Sequence, residues 1–154
     1  MNKVVLDCSA AVNIVRETPE GQLMAPLLGM AEIDEVLAPQ LLYAEVASAL
    51  SKYYRAGMMD ESSVAVKAEG ALRLVNTFVS HDELYVEALS ESLRQGHSVY
   101  DMFYLVLARR HDAILLTGDR RLRELCRKMG VRCSGRAWIK PGCDSHALDA
   151  WEFE

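Results

Sequence analysis

Short apolar runs alternate with stretches of helical periodicity, and this alternation constrains the fold more than any other feature of the sequence. KVVLD (3–7), EVLAP (35–39) and AILLT (113–117) have the length and composition of buried strands. VRC (131–133) is typical of an edge strand, and AWIK (137–140) is a further candidate. Strands that alternate with helices form a parallel sheet covered on both faces, with right-handed crossovers. The sequence therefore predicts an α/β domain with a central parallel sheet of four to five strands flanked by helices.

Six segments between or after these runs have helical character. They are SAAVNIVRE (9–17), PQLLYAEVASALSKYYRAG (39–57), MDESSVAVKAEGALRLVNTFV (59–79), HDELYVEALSESLRQG (81–96), SVYDMFYLVLARR (98–110) and DRRLRELCRKMG (119–130). Ser9 is the predicted N-cap of the first segment. Gly57 and Gly130 are predicted to end the second and the last.

The chain of 154 residues has the length of one domain with a single core. No internal repeat or linker divides it, so residues 1–140 are predicted to form the domain. Residues 141–154, PGCDSHALDAWEFE, contain four acids and no Lys or Arg. We expect an acidic C-terminal tail there, which is not a separate domain.

Apolar content and cysteine spacing favour a cytoplasmic protein. No apolar run reaches the roughly 18 residues that a membrane span needs, and MNKVVLDCSAA lacks the order of regions of a signal peptide. Cys8, Cys126, Cys133 and Cys143 are widely spaced and contain no CxxC pair. This spacing favours reduced thiols over a disulfide framework. We expect a cytoplasmic location without membrane contact.

Two aspartates stand directly after predicted strands. Asp7 ends VVLD, and Asp119 lies two residues past AILLT. Ligands of open parallel sheets gather beyond the carboxyl ends of the strands, so these acids are candidate site residues that would face each other if their strands are neighbours. The alternative is local: Asp119 is an apt N-cap for RRLRELC, and Asp7 could simply terminate its strand.

Two further acids interrupt apolar helix faces. Glu45 lies within or beside the stripe that holds Leu42, Val46 and Ala49, where a carboxylate needs a partner. Asp101 shares a helix face with Tyr104, and its alternative is a capping box in Ser98-Val99-Tyr100-Asp101. The capping box would explain Asp101 and leaves Glu45 unexplained.

Several carboxylates brought together repel one another unless a cation compensates them. A divalent metal does so directly, and Mg²⁺ or Mn²⁺ prefers oxygen ligands. None of the four histidines is expected beside one of these acids, and Cys143 with His146 makes only a lone pair of ligands, so zinc is disfavoured. Ser9 and Thr117 are candidate hydroxyl contacts to the water shell of the metal.

Positive charge is concentrated late in the chain although the formal net charge is −5. Residues 109–140 contain ten Lys and Arg against three Asp and Glu, a local balance of +7. A solvated helix face and a phosphate-binding patch both fit such a run.

The four acids and their surroundings resemble the PIN-domain nucleases, most closely the VapC-type toxin ribonucleases of toxin–antitoxin modules. The matching segments are VVLDCSAAV with Asp7, APQLLYAEVASAL with Glu45, and SVYDMFYLVLARRHDAILLTGDRRL with Asp101, Thr117 and Asp119. The resemblance covers roughly residues 3 to 133, and Thr-x-Asp-x-x-Leu after the strand is its most specific part. Cys8 stands where the family often has Thr.

The resemblance implies a Rossmann-like PIN domain in which Asp7, Glu45, Asp101 and Asp119 are catalytic and surround one or two Mg²⁺ or Mn²⁺ ions. The implied reaction is metal-assisted hydrolysis of RNA phosphodiester bonds, which leaves 5′-phosphate and 3′-hydroxyl ends.

Three kinds of partner accompany that activity. RNA is the implied substrate, and Arg120, Arg121 and Arg123 directly follow Asp119 and are candidate phosphate contacts. A homodimer and a small antitoxin that blocks the metal site are also implied by the resemblance.

Alternative functions use similar folds. A phosphatase of the haloacid-dehalogenase type needs a second Asp where this chain has Ser9, and a phosphotransfer receiver needs a late Lys that we do not find suitably placed. A non-toxin RNA-processing nuclease would use the same site. A catalytically inactive PIN-like scaffold would be expected to have lost one or more acids, and all four are present.

Overall fold

The computed structural model describes residues 2–134, which form a parallel sheet of five strands flanked by seven helices. The strands are β1 (Asn2–Leu6), β2 (Ile33–Pro39), β3 (Thr77–Val79), β4 (Ile114–Leu116) and β5 (Cys133–Ser134). The helices are α1 (Cys8–Val15), α2 (Pro19–Leu28), α3 (Leu41–Arg55), α4 (Glu61–Arg73), α5 (His81–Gln95), α6 (Val99–Arg110) and α7 (Arg120–Met129). The predicted α/β class with a central parallel sheet is confirmed.

Strand β1 lies at the centre of the sheet, whose order is β3-β2-β1-β4-β5. Val4 pairs with Val36 of β2 on one side and with Ile114 of β4 on the other. Continuous apolar strands of this kind are buried on both faces of a parallel sheet. Helix α6 buries seven consecutive residues, 102–108, and contacts β1, β2 and β4. The core is therefore centred on β1 and α6.

Residues 77–79 form strand β3, whereas the sequence predicted a helix through residue 79. Helix α4 ends at Arg73, and β3 pairs in parallel with β2. The backbone N–H of Asn76 donates to the Val36 carbonyl at 2.8 Å, and the backbone N–H of Gln40 donates to the Val79 carbonyl at 2.9 Å. The prediction was wrong because pairing with β2 overrides the local helical pattern in a segment of β-branched and aromatic residues.

Helix α2 was not predicted, although its start has a clear signal. Thr18 is the N-cap, its Oγ1 accepts from the Gly21 amide at 3.0 Å, and Pro19 occupies the first helical position. A Cβ on Gly21 would lie 1.9 Å from the Asn13 carbonyl oxygen, so only glycine allows α1 and α2 to approach this closely. The Thr-Pro pair therefore begins a helix that packs tightly on α1.

Several predictions lie outside the described residues: strand AWIK, the pair Cys143 and His146, and the acidic segment 141–154. The domain boundary at residue 140 stays a prediction for the same reason. Among the helices of residues 2–134, none combines the length and the apolar character needed to cross a membrane.

Candidate active site

The carboxyl edge of the sheet brings together chain segments that are distant in the sequence. Strand β1 has β2 on one side and β4 on the other, so the strand order reverses between β1 and β4. Asp7 follows β1, and its amide donates to the Leu116 carbonyl at the end of β4 at 3.2 Å. Helix α3, which carries Glu45, follows β2. A point of strand reversal is where α/β sheets bind ligands.

Asp7 is held rigidly at this edge. Its Oδ1 accepts from the Ala10 amide at 2.8 Å, which makes Asp7 the N-cap of α1. Ser9 Oγ donates to Oδ1 at 2.8 Å, and Thr117 Oγ1 donates to Oδ2. Asp7 is only 4% exposed. Burial raises the pKa of Asp7 to about 6, although these three hydrogen bonds oppose the shift.

Ser9 and Thr117 link the first and fourth strand ends. The two hydroxyls lie 3.2 Å apart, Ser9 Oγ accepts from the Gly118 amide at 2.8 Å, and Thr117 Oγ1 accepts from the Asp119 amide at 2.9 Å. Ser9 was predicted to cap α1, which is wrong: Asp7 has that role, and Ser9 lies in the first turn. The hydroxyls serve to fix Asp7 and the loop after β4.

Glu45 projects from α3 with an unsatisfied buried oxygen. Its Oε1 is buried and finds no hydrogen-bond partner within residues 2–134, and the same holds for the nearby Tyr104 hydroxyl. Burial, together with the charges of Asp7 and Asp101, raises the pKa of Glu45 to about 7, and the Tyr104 hydroxyl, which lies nearby without hydrogen-bond geometry, opposes the shift. A buried unpaired carboxylate oxygen is costly, which indicates a missing partner.

Asp101 lies in the first turn of α6, half-buried. Its Oδ2 is 3.3 Å from His97 Nδ1. Burial raises the pKa of Asp101, Asp119 adds to this shift, and His97 and Arg121 oppose it. The expectation that no histidine sits beside these acids was therefore wrong for His97. The Ser98 hydroxyl caps α6 by accepting from the Tyr100 amide at 3.3 Å.

Asp119 is exposed and caps α7. Its Oδ1 accepts from the Arg121 amide at 2.8 Å and from the Leu122 amide at 3.4 Å. The local N-cap explanation is thus correct. The Asp119 charge also raises the pKa values of Asp7 and Asp101, so its carboxylate lies within electrostatic reach of both.

We call Asp7, Glu45, Asp101 and Asp119 the edge cluster. Each of its members is linked to another by mutual charge repulsion. As the side chains stand, the described residues contain no group of three or more His, Cys, Asp or Glu in a metal-binding arrangement. The structure therefore brings the four acids into one electrostatic neighbourhood without closing them around a common point.

The donor chemistry of the edge cluster nevertheless suits a hard divalent cation. Its atoms are carboxylate oxygens, among them the unpartnered Glu45 Oε1, and Mg²⁺ and Mn²⁺ favour such oxygens. The neighbouring thiol is not a competing ligand, because burial raises the pKa of Cys8 to about 12 and keeps it protonated. Within residues 2–134, neither Asp7 nor Glu45 forms an ion pair with Lys or Arg, so a cation would fill a real deficit.

The three arginines after Asp119 have different surroundings. Arg120 is mostly exposed and pairs with Glu124 at 3.0 Å. Arg121 is exposed and close enough to lower the pKa of Asp101. Arg123 Nη1 donates to the Thr117 carbonyl at 3.4 Å, which ties α7 to the end of β4. Only Arg121 of the three acts on an acid of the edge cluster.

Asn13 is a further polar residue at the site, and the sequence did not predict it. Its Oδ1 accepts from Thr18 Oγ1 at 3.0 Å, which orients the side-chain amide. A Cβ placed on Gly118 would lie 3.1 Å from Asn13 Nδ2 and 3.4 Å from Ser9 Oγ. The sequence did contain a signal for Asn13, because it is the polar residue within the apolar run AAVNIV.

Residues 4–128 match the family model described as PIN domain. The chain belongs to the PIN domain family. A curated relative, ribonuclease VapC1 of Mycobacterium tuberculosis, is 30% identical over 122 residues, which are 79% of this chain and 90% of the relative. The resemblance inferred from the four acids is confirmed.

Solved structures share the fold at low sequence identity. PAE2754 from Pyrobaculum aerophilum superposes with a TM-score of 0.62 at 21% identity, covering 80% of this chain and 78% of that one. VapBC2 from Rickettsia felis, bound to a DNA fragment from its promoter, has a chain that superposes with a TM-score of 0.61 at 15% identity, covering 86% of this chain and 97% of that one.

Proposed function

We propose that the protein is a Mg²⁺- or Mn²⁺-dependent endoribonuclease that acts as the cytoplasmic toxin of a toxin–antitoxin module. The observation that carries this proposal is the pair Asp7 and Glu45, two shielded carboxylates with raised pKa values and no cationic partner among residues 2–134. The relationship to a VapC ribonuclease supports RNA as the substrate. One or two ions would occupy the site.

Asp7 and Glu45 would be the principal metal ligands, with Asp101 and Asp119 completing the site from α6 and the start of α7. A bound divalent ion supplies Lewis-acid activation of water and charge for the leaving oxygen. Ser9 and Thr117 hold Asp7 in one rotamer, so the ligand oxygens are positioned before the ion binds. Because the pKa values of Asp7 and Glu45 are raised, binding of the metal ion would release protons from these two carboxyl groups near neutral pH.

Arg121 is the foremost candidate for holding an RNA phosphate. A cluster of carboxylates repels RNA, and a cation beside Asp101 offsets that repulsion. Arg120 and Arg123 would contribute less, because one is paired with Glu124 and the other donates to the Thr117 carbonyl. The contact to phosphate would position the substrate without reading its sequence.

A homodimer and an antitoxin are proposed as partners. The two tyrosines Tyr43 and Tyr54 of α3 are about half exposed, at 51% and 52%, and such side chains are enriched at interfaces. The fold match to a VapBC2 structure supports an antitoxin as one of the partners. A partner that contacts these tyrosines would lie against α3, the helix that carries Glu45.

RNA cleavage tests the proposal. Purified protein, freed of co-purifying partners, is incubated with total RNA in Mg²⁺, Mn²⁺ or EDTA, and the cleavage ends are mapped. We expect metal-dependent cleavage that leaves 5′-phosphates and is lost in Asp7→Asn and Asp101→Asn. Glu61→Gln, an exposed acid in α4, is the matched control and retains activity.

Folded wild-type protein that cleaves no RNA in either metal would support the inactive scaffold instead. Cleavage that persists in EDTA would contradict the metal requirement. Growth arrest on expression, relieved by Asp7→Asn, separates a toxin from an RNA-processing nuclease with the same site.

A further inference from the structure

Two cysteines lie where α7 packs on β5, outside the edge cluster, although the charge of Asp7 reaches Cys126. Cys126 is fully buried on α7, and Cys133 begins β5 and is half-buried. The Val131 amide donates to the Cys126 carbonyl at 2.9 Å, so the chain turns back directly after the helix. This turn brings Cys133 back toward Cys126, which is seven residues earlier in the chain.

The thiol of Cys133 lies over the turn of α7 that the Cys126 side chain covers. Cys133 Sγ is 3.9 Å from the carbonyl oxygen of Arg123, three residues before Cys126. Side chains in a helix lean toward its N-terminus, so Cys126 extends over this same turn. The two thiols are close enough to shift each other's pKa in opposite directions: Cys133 raises the pKa of Cys126, and Cys126 lowers the pKa of Cys133.

The two thiols also differ in reactivity. Besides the contact with Cys126, the guanidinium groups of Arg127 and Arg123 lower the pKa of Cys133, while burial opposes the shift. Burial adds to the raised pKa of Cys126. A partly accessible thiolate beside cations is the attacking group in thiol–disulfide exchange, and a buried neutral thiol next to it can resolve the product.

We propose that Cys126 and Cys133 are a reversible redox pair, which closes to a disulfide between α7 and β5 when the protein meets a low-molecular-weight disulfide. This proposal does not rest on the nuclease activity proposed above. Pairs of this kind in cytosolic proteins are transient and redox-sensing, which is consistent with the free thiols of the resting protein.

The exchange proceeds in two steps that balance. The Cys133 thiolate attacks one sulfur of the small disulfide, forms a mixed disulfide and releases one small thiolate. Cys126 then loses its proton to the released thiolate and attacks the Cys133 sulfur, which expels the second small thiolate. Two protein thiols are oxidised and one small disulfide is reduced to two thiols.

The bond would join the C-terminal half of α7 to the edge of the sheet. Asp119 caps the other end of the same helix, and Arg123 already ties that end to β4. Oxidation would therefore fasten α7 at both ends and slow its separation from β4 and β5.

Peptide mapping tests the pair in the full-length protein. Reduced protein is treated with glutathione disulfide, free thiols are alkylated, and the unreduced sample is digested with trypsin. Cleavage after Arg and Lys puts the two cysteines in separate fragments, 124–127 and 133–136. We expect these fragments to be joined in wild type and in Cys8→Ser, and to be released by dithiothreitol.

Native alkylation without oxidant supplies a second readout. We expect Cys133 to react at least about tenfold faster than Cys126, because one thiol is accessible and the other is buried. Glutathione that stays attached to Cys133 without a 124–127 to 133–136 link would overturn the proposal. A link from Cys133 to Cys143 in place of Cys126, or equal alkylation of both thiols, would overturn it as well.

Discussion

Two groups of carboxylates in this protein each contain a buried acid, and the two buried acids have opposite surroundings. In the edge cluster, Asp7 is 4% exposed and its pKa is raised to about 6. Between α5 and α6, Glu91 is equally buried at 4%, and its Oε1 accepts from Arg94 and Arg109, each at 3.0 Å. One acid is buried among other acids and the other among arginines.

Glu87 extends the second group, which we call the arginine-paired cluster: Glu87, Glu91, Arg109 and Arg110. Burial alone would raise the pKa of Glu87, but hydrogen bonds from Arg109 and Arg110 outweigh it and lower the pKa. This cluster fastens α5 to α6 with charges that the chain supplies itself. Within the described residues, Asp7 and Glu45 of the edge cluster have no such ion pair with Lys or Arg, and this difference separates a binding site from a structural contact.

The largest expected effect is on catalysis at the edge cluster. Glu45→Gln removes a metal ligand with little change in shape, and we expect RNA cleavage to fall at least about 100-fold, or about 2.7 kcal/mol. Single-turnover cleavage in Mn²⁺ measures it. The matched change Glu91→Gln lies in the arginine-paired cluster and should leave the cleavage rate within about twofold of wild type. Equal losses in both variants would remove the distinction.

The pH dependence of stability should expose the raised pKa of Asp7. Its pKa is about 6 when folded and 3.8 in the reference state, so the unfolded chain ionises first as pH rises. Protonated Asp7 therefore favours folding below about pH 4. This contribution to the free energy of unfolding, about 2–3 kcal/mol, is lost as the pH rises to about 6. Asp7→Asn keeps an N-cap residue and lacks this titration.

Urea unfolding in EDTA at several pH values measures the effect. The free energy of unfolding of wild type should fall relative to Asp7→Asn between pH 4 and pH 7, and Mn²⁺ should restore it. A constant difference between the two proteins across this range would show that Asp7 has no raised pKa.

The arginine-paired cluster should respond to neutralisation in the opposite direction. Glu91→Gln removes a charge that two arginines share, and we expect the free energy of unfolding to fall by about 1–2 kcal/mol. Glu45→Gln removes repulsion from Asp7 and Asp101, so metal-free stability should rise slightly. Denaturant midpoints at pH 8 in EDTA compare the two. Destabilisation by both changes would mean that Glu45 is already compensated.

The smallest effect concerns substrate binding. Arg121→Gln should raise the KM for RNA by about three- to tenfold and weaken the salt dependence of kcat/KM, because one phosphate contact is lost. Arg120→Gln is the matched control, since that side chain is 85% exposed and paired with Glu124, and its KM should change by less than about twofold. Equal effects of the two changes would argue for a diffuse basic face.

Much of the frame could be predicted from the sequence because strand composition and helix termini are local signals. Asp7 and Asp119 follow strands, and the adjacency of β1 and β4 places both at one edge. Strand β3 could not be predicted in the same way, since three residues become a strand only through pairing with β2. Helix α2 had a usable signal in its Thr-Pro start.

The electrostatic details of the site depend on contacts that sequence spacing does not determine. His97 reaches Asp101 because Gly96 ends α5 in a left-handed conformation, with φ of 62°, and returns the chain toward α6. The unpartnered Glu45 Oε1 depends on the tertiary contacts that bury this side chain near Asp7 and Tyr104. The catalytic roles of the four acids stay predictions until a metal is bound and activity is measured.

Titration calorimetry with Mn²⁺ tests the central claim most directly, namely that the edge cluster lacks a cation that must come from solution. Wild type, Glu45→Gln and Glu91→Gln are titrated at pH 6.5 in two buffers of different ionisation enthalpy. We expect wild type and Glu91→Gln to bind Mn²⁺ equally with release of protons, and Glu45→Gln to bind at least about tenfold more weakly. Equal binding by all three proteins, or no binding by wild type, would contradict the account.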